Sequence, residues 1–239
     1  MRVRNTGSFS LMVLTFAISI PGFRTFSTLM VLMGLAIFHA FSLDRVYSNA
    51  LIARLKLEDL LIIAINCIPY VLFLNLYLLI PVSLLITVLL LPYLRVKMWP
   101  AILGSTAVAS LYLPWVVILK EDLYFNIPLY LIWILYSLNE SLYVEYKLPY
   151  RKVEKAEIKV LWLLSLLAIV PLSLINALIL LTLIEPSLKY FNPGSKLEKA
   201  TQLRELGHRG LISLLLLTIL IIMIKIIHNA GLNFGLLKV

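Results

Sequence analysis

Ionisable and thiol chemistry is scarce in this chain. Charged residues are 14% of it, and long polar stretches are missing altogether. A single cysteine, Cys67, lies inside an apolar run, which excludes an intrachain disulfide and any multi-cysteine metal site. Of the three histidines, His39 and His208 fall near the inner face and His228 near the outer end of the last span, with no obvious opposed pair for a haem. Glutamine occurs once, as Gln202, a weak thermophilic signature beside abundant Ile and Leu. The basic amino terminus, Met1-Arg2-Val3-Arg4, precedes an apolar run without a small-residue cleavage site, so an uncleaved first span is expected.

What is present is hydrophobic. Ala, Val, Ile, Leu, Met, Phe, Trp, Tyr and Cys make up 62% of 239 residues, and the mean hydropathy is +0.99. A helix crosses the hydrocarbon with about 20 apolar residues. The apolar blocks Ser8–Leu43, Asp59–Leu94, Met98–Asn139 and Ile158–Phe191 are each too long for one crossing and read as helical hairpins. Breaks fall at Pro21-Gly22 with Arg24, at Asn75 and Pro81, at Lys120-Glu121-Asp122, and at Pro171 and Asn176. A last helix over Leu211–Ala230 completes nine spans. The predicted class is an all-α membrane protein in the cell membrane, one polytopic domain over residues 1–239.

The net charge of +9 is explained by positive-inside bias rather than by nucleic acid. With the amino terminus inside, all of the 21 basic residues except Arg24, Lys120, Lys225 and Lys238 fall on the inner side. The three long inner loops lie at about 44–58, 140–157 and 189–210, and the outer loops are short. An activity is therefore expected at the inner face. Residues 49–59 and 196–209 read as short amphipathic helices at the interface, the second ending at Gly207 and Gly210. The stretches of about 8–94 and 98–191 read as two parallel half-repeats, followed by a final span over about 211–231. An offset of 96 positions carries Asp44 onto Glu140, Tyr47 onto Tyr143 and Lys56 onto Lys152.

Three groups of polar residues stand at the inner ends of spans. His39 and Asp44-Arg45 form the first; on one helix His39 and Asp44 point about 140° apart. Asn139, Glu140, Glu145, Lys147, Arg151 and Lys152 form the second, its two glutamates again on different faces. Arg204, Glu205, His208 and Arg209 form the third, suited to phosphate or anionic lipid as well as to simple anchoring. Glu185 lies inside the fourth block, where an acid carries functional weight.

This layout resembles the UbiA superfamily of intramembrane prenyltransferases, nine helices in two four-helix repeats plus one. The family's first acidic motif, N-D-x-x-D-x-x-x-D, meets the run from Ala40 to Ser48, in which Asp44 and the following Arg45 match. The second, D-x-x-x-D, meets Glu140 or Glu145 in a different spacing. The resemblance implies an isoprenoid or other long lipid as substrate and membrane lipids as surroundings. It implies Asp44 and Glu140 as catalytic residues, and Asp44, Glu140 and Glu145 as ligands of Mg²⁺. Arg45, Arg151, Lys152, Arg204, His208 and Arg209 would bind the substrate. With so few carboxylates, at most one ion is expected, and a divergent prenyltransferase is the activity implied. A transporter or lipid translocator and a non-catalytic subunit of a membrane complex stay open as alternatives.

Overall fold

The computed structural model describes residues 6–96, 98–199 and 202–232, leaving aside the side chains of residue 6 and residues 43–45. It is all-α, with ten α-helices, three 3₁₀ segments and no strand among the described residues. The chain divides into two compact units, Met1–Leu123 and Tyr124–Val239.

The first unit holds α1 (Thr6–Ser19), α2 (Phe26–Leu51), α3 (Leu57–Val71), α4 (Leu79–Leu90), α5 (Trp99–Ala109) and α6 (Tyr112–Ile118). A 3₁₀ turn, Leu76–Leu78, leads into α4. The breaks follow local chemistry. Gly22 takes φ +110°, a conformation that costs a glycine little. Ala53, Arg95 and Lys120 adopt left-handed backbone after α2, α4 and α6, ending those helices. The expected amphipathic helix over 49–59 does not form. Instead α2 runs to Leu51, the chain turns at Ala53, and α3 starts at Leu57. Asp59 accepts from the Lys56 amide at 2.9 Å and from Asn49 at 2.9 Å, so its carboxylate caps the new helix. α1 packs on α2, α5 and α6, and α4 packs on α5. Met12, Leu32, Ala36, Ala40, Trp115, Ile118 and Leu119 form a buried cluster.

The second unit holds α7 (Leu123–Lys147, which begins at the preceding residue), α8 (Lys155–Ile169), α9 (Ile184–Phe191) and α10 (Gln202–Asn229). Pro171 opens a 3₁₀ segment, Val170–Leu174, and the Asn176 side chain caps a second, Ala177–Leu183, by accepting from the Leu178 amide at 2.9 Å. α10 is continuous through Gly207 and Gly210, where the sequence suggests a stop. Gly210 has a packing task instead: a Cβ there would stand 2.9 Å from Oε1 of Glu140.

Among the described residues, four segments are long and apolar enough to cross a membrane: Trp99–Ile118, Leu123–Lys147, Lys155–Leu174 and Gln202–Asn229. Gly7–Ser19, Phe26–Ser42 and Leu76–Leu90 are shorter apolar helices. Large apolar side chains stand on the surface in number, including Leu61, Ile68, Leu72, Leu76, Leu167 and Ile219. Soluble proteins avoid contiguous surfaces of this kind, whereas a bilayer accepts them.

Candidate functional site

Each unit carries one candidate region. In the first, a cavity of ≈ 360 Å³ runs along α2, α3, α4 and α5. Its walls are almost wholly apolar, with Phe9, Met12, Val71, Leu78, Val82 and Leu85 among them. Gly104 shapes one side. A Cβ at Gly104 would lie 2.6 Å from Cε2 of Tyr47, so glycine lets the tyrosine ring rest directly on α5.

Polar groups enter this wall as a closed chain. Nδ1 of His39 donates to Oδ1 of Asn66. Nε2 of His39 accepts the Tyr70 hydroxyl proton at 2.8 Å, and the Tyr70 oxygen accepts from Nε1 of Trp115 at 2.8 Å. The Asn66 amide donates to Oγ of Ser42 at 2.8 Å and to the Ile62 carbonyl at 2.7 Å. Ser42 in turn donates to the Phe38 carbonyl at 2.6 Å. This assignment satisfies each member with an imidazole carrying one proton, and it needs no ion. His39 and Asn66 are both buried. Position along the chain groups His39 with Asp44. Its partners are Asn66 and Tyr70 on α3 instead, and a separation of 27 or 31 residues gives no local signal for them.

Asp44 and Arg45 lie on α2, near its carboxyl end, and their side chains are outside the described residues. Asp44 belongs to the first unit and Glu140 to the second.

In the second unit, a cleft of ≈ 410 Å³ is lined by Tyr143 and Lys147 of α7, Lys189 of α9, and Gln202, Glu205, Leu206, Arg209, Gly210 and Ser213 of α10. The α10 residues recur at helical spacing, so one stripe of that helix forms the wall. Lys189 pairs with Oε2 of Glu140, which also accepts the Tyr190 hydroxyl at 2.9 Å. Lys189 and Lys147 stand 4.7 and 5.2 Å from the centroid of the Tyr143 ring. An aromatic face stabilises such cations, most strongly where water is excluded. Lys147 donates to the Ser195 carbonyl at 2.7 Å. Arg209 pairs with Glu205 at 2.6 Å on the exposed side of α10. Lys147, Lys189 and Arg209 bring three cations to the cleft, two of them paired with the carboxylates of Glu140 and Glu205.

Of the three polar groups read from the sequence, this cleft gathers Lys147, Glu205 and Arg209 into its lining. Glu140 stands behind it, holding Lys189. Glu145 pairs with Arg151 at 2.6 Å. Lys152, Arg204 and His208 are exposed and stand outside the lining. Lys147, which the sequence places in the second polar group, and Lys189, read only as part of the general inner charge, are the cations at the centre.

These pairings bear on magnesium. Glu140 and Glu145 each already face a cation, so together they do not make a magnesium cradle. Among the described residues no group of three or more His, Cys, Asp or Glu is placed to hold a metal ion. No protein-family model, curated protein or solved structure matches the chain.

Proposed function

We propose that this protein crosses the cell membrane nine times in a UbiA-like arrangement and binds an isoprenoid or other long lipid in the cavity of its first unit. The apolar cavity carries this reading. Its ≈ 360 Å³ falls within the range of small-molecule pockets, and His39, Asn66 and Tyr70 in its wall are already hydrogen-bonded to one another. Groups satisfied in that way lie beside hydrocarbon without losing a partner. Nine helical stretches separated by turns support the span count: α1, α2, α3, the stretch from Leu76 to Leu90, Trp99–Ile118, α7, Lys155–Leu174, the stretch from Ala177 to Phe191, and α10. The cationic cleft of the second unit supports work at an inner face beside anionic lipid.

Chemistry through magnesium is not part of this reading, because Glu140 and Glu145 pair with cations. Prenyl diphosphates with Mg²⁺ are therefore expected to turn over weakly. Robust turnover that vanishes in Asp44→Asn would replace this reading with a conventional transferase. A transporter or lipid translocator is the second reading. It is favoured by Lys225, a buried lysine within the membrane-length helix α10, and by the 3₁₀ segments after Pro171.

The test has two arms. A photoactivatable isoprenoid in nanodiscs should label peptides of the first unit saturably. No saturable labelling would sink lipid binding there. For topology, single cysteines at Ser48, Tyr150 and Ser195 in a Cys67→Ala background should react only from the cytoplasmic side, and one at Glu121 only from outside. Reaction of Ser48 and Tyr150 from opposite sides would end the nine-span arrangement.

A further inference from the structure

α3 and α4 follow one another in the chain, yet they do not close on each other as a packed hairpin. α3 packs on α2 and α4 packs on α5, and the two scarcely touch. The first-unit cavity reaches both. Cys67, Val71 and Leu74 line it on the α3 side, and Leu79, Val82 and Leu85 on the α4 side. All of these but Leu85 are exposed, so the cavity opens along the seam between the two helices. Its polar members stand back from the opening: His39 and Asn66 are 2% and 4% accessible.

The seam is apolar on both sides, and among the described residues no Asp, Glu, Lys or Arg lines the cavity. An opening of that kind is unfavourable against water and is matched by hydrocarbon. On α4 the lining residues recur at helical spacing from Leu79 to Leu89, a stripe about 15 Å long. Spread over that length, ≈ 360 Å³ leaves a cross-section of about 24 Å². That is the girth of one hydrocarbon chain and not of two.

We propose that the seam between α3 and α4 is a lateral entrance, and that the ligand is a lipid with a single chain that slides in from the bilayer and leaves its polar head outside. This inference rests on the lipid-binding reading above and specifies its ligand and its path. A lipid with two chains would have to keep one of them out of the cavity. A charged head drawn inside would lose water against an apolar wall. A single chain of farnesyl length, about 15 Å, fills the α4 stripe from end to end.

The experiment uses the full chain in nanodiscs, with the photoactivatable isoprenoid as reporter. The competitors are a single-chain lipid of farnesyl length and a glycerolipid carrying two chains of that length. The single-chain lipid should compete on the order of tenfold better. Val82 and Ile86 are both exposed on α4, and of the two Val82 alone lines the cavity. Val82→Trp, with an indole in the entrance, should slow saturable labelling about tenfold, whereas Ile86→Trp should leave it unchanged. Equal competition by the two lipids overturns the single-chain ligand and leaves lipid binding intact. Unchanged labelling in Val82→Trp, or equal slowing in both variants, overturns the entrance. No saturable labelling of the unaltered protein overturns the lipid reading itself. The competition in the unaltered protein decides even where a variant folds poorly.

Discussion

Beside its cavity the first unit buries polar atoms in a neutral chain of hydrogen bonds; beside its cleft the second buries an ion pair faced by aromatic rings. Around His39 the donors and acceptors are matched one to one, and the cavity beside them stays apolar. Around Glu140 the charges of Lys189 and Lys147 lie against Tyr143, Tyr190 and Tyr146. The difference shows two solutions to one constraint, the cost of polar groups in an apolar interior. A neutral chain leaves room for hydrocarbon. A charged cluster leaves a wall of paired cations and carboxylates, which hydrocarbon does not complement.

The sharpest way to break this contrast is to remove one ion from the second unit. Glu140→Gln leaves Lys189 largely buried without its carboxylate, and a pair broken from one side costs about 3 kcal/mol or more. A marked fall in denaturation temperature is expected, while isoprenoid labelling of the first unit is retained. Replacing both partners, as Glu140→Gln with Lys189→Met, should restore much of the loss. A small effect of Glu140→Gln would mean that the carboxylate is merely a solvated helix end.

The next effect belongs to the neutral chain. His39→Leu takes one donor from the Asn66 oxygen, which keeps Ser42 Oγ at 3.0 Å, and strands the Tyr70 hydroxyl proton, so about 2 kcal/mol of stability should go. Unlike a broken ion pair, this loss should hardly change between low and high salt, since no charge is removed. A strong salt dependence of the His39→Leu effect would show that the first unit also relies on ions.

How far these features could be read from the chain varies with their range. The turns at Gly22, Asn75, Lys120 and Asn176 were legible, because a break needs only local backbone chemistry and a short polar run between apolar ones. The restart at Leu57 was not. It depends on Asp59 reaching back to Lys56, a cap that outweighs the amphipathic pattern of the segment. Gly207 and Gly210 looked like a helix end, whereas the helix runs through both and the approach of Glu140 gives Gly210 a packing reason. The sequence marked Glu140 as important, yet its partners lie 49 and 50 residues away, and no periodicity connects them. Tyr47 and Gly104 are likewise linked only by packing.

That packing supplies a third, smaller test. Gly104→Ala must displace the Tyr47 ring from α5, and both residues line the cavity. Long isoprenoids should lose about tenfold in affinity, on the order of the 1–3 kcal/mol typical of overpacking, with second-unit stability unchanged. Equal binding by Gly104→Ala and the unaltered protein would place the lipid elsewhere.

The smallest expected effect is at the rim of the cationic cleft. The Arg209–Glu205 pair is exposed, with side chains 75% and 61% accessible, and such helix pairs contribute about 0.3–0.5 kcal/mol. Arg209→Gln should therefore leave the denaturation temperature nearly unchanged. Any reduction in binding to vesicles rich in phosphatidic acid would isolate its part in anion attraction from its part in the fold.

The most basic stretches of the second unit are also bound to each other. Tyr146 donates to the Gly194 carbonyl at 2.6 Å, Lys147 to that of Ser195 at 2.7 Å, and Lys196 to that of Arg151. The Leu197 amide returns a bond to the Lys147 carbonyl at 3.0 Å. A protease that cuts after lysine and arginine must draw such a segment out into an extended strand before it can act. Here the peptide bond after Arg151 has its carbonyl held by Lys196, and the bond after Lys147 has its carbonyl held by Leu197. Both stretches must let go together, so cleavage at either site reports a shared opening rather than the exposure of its own residue.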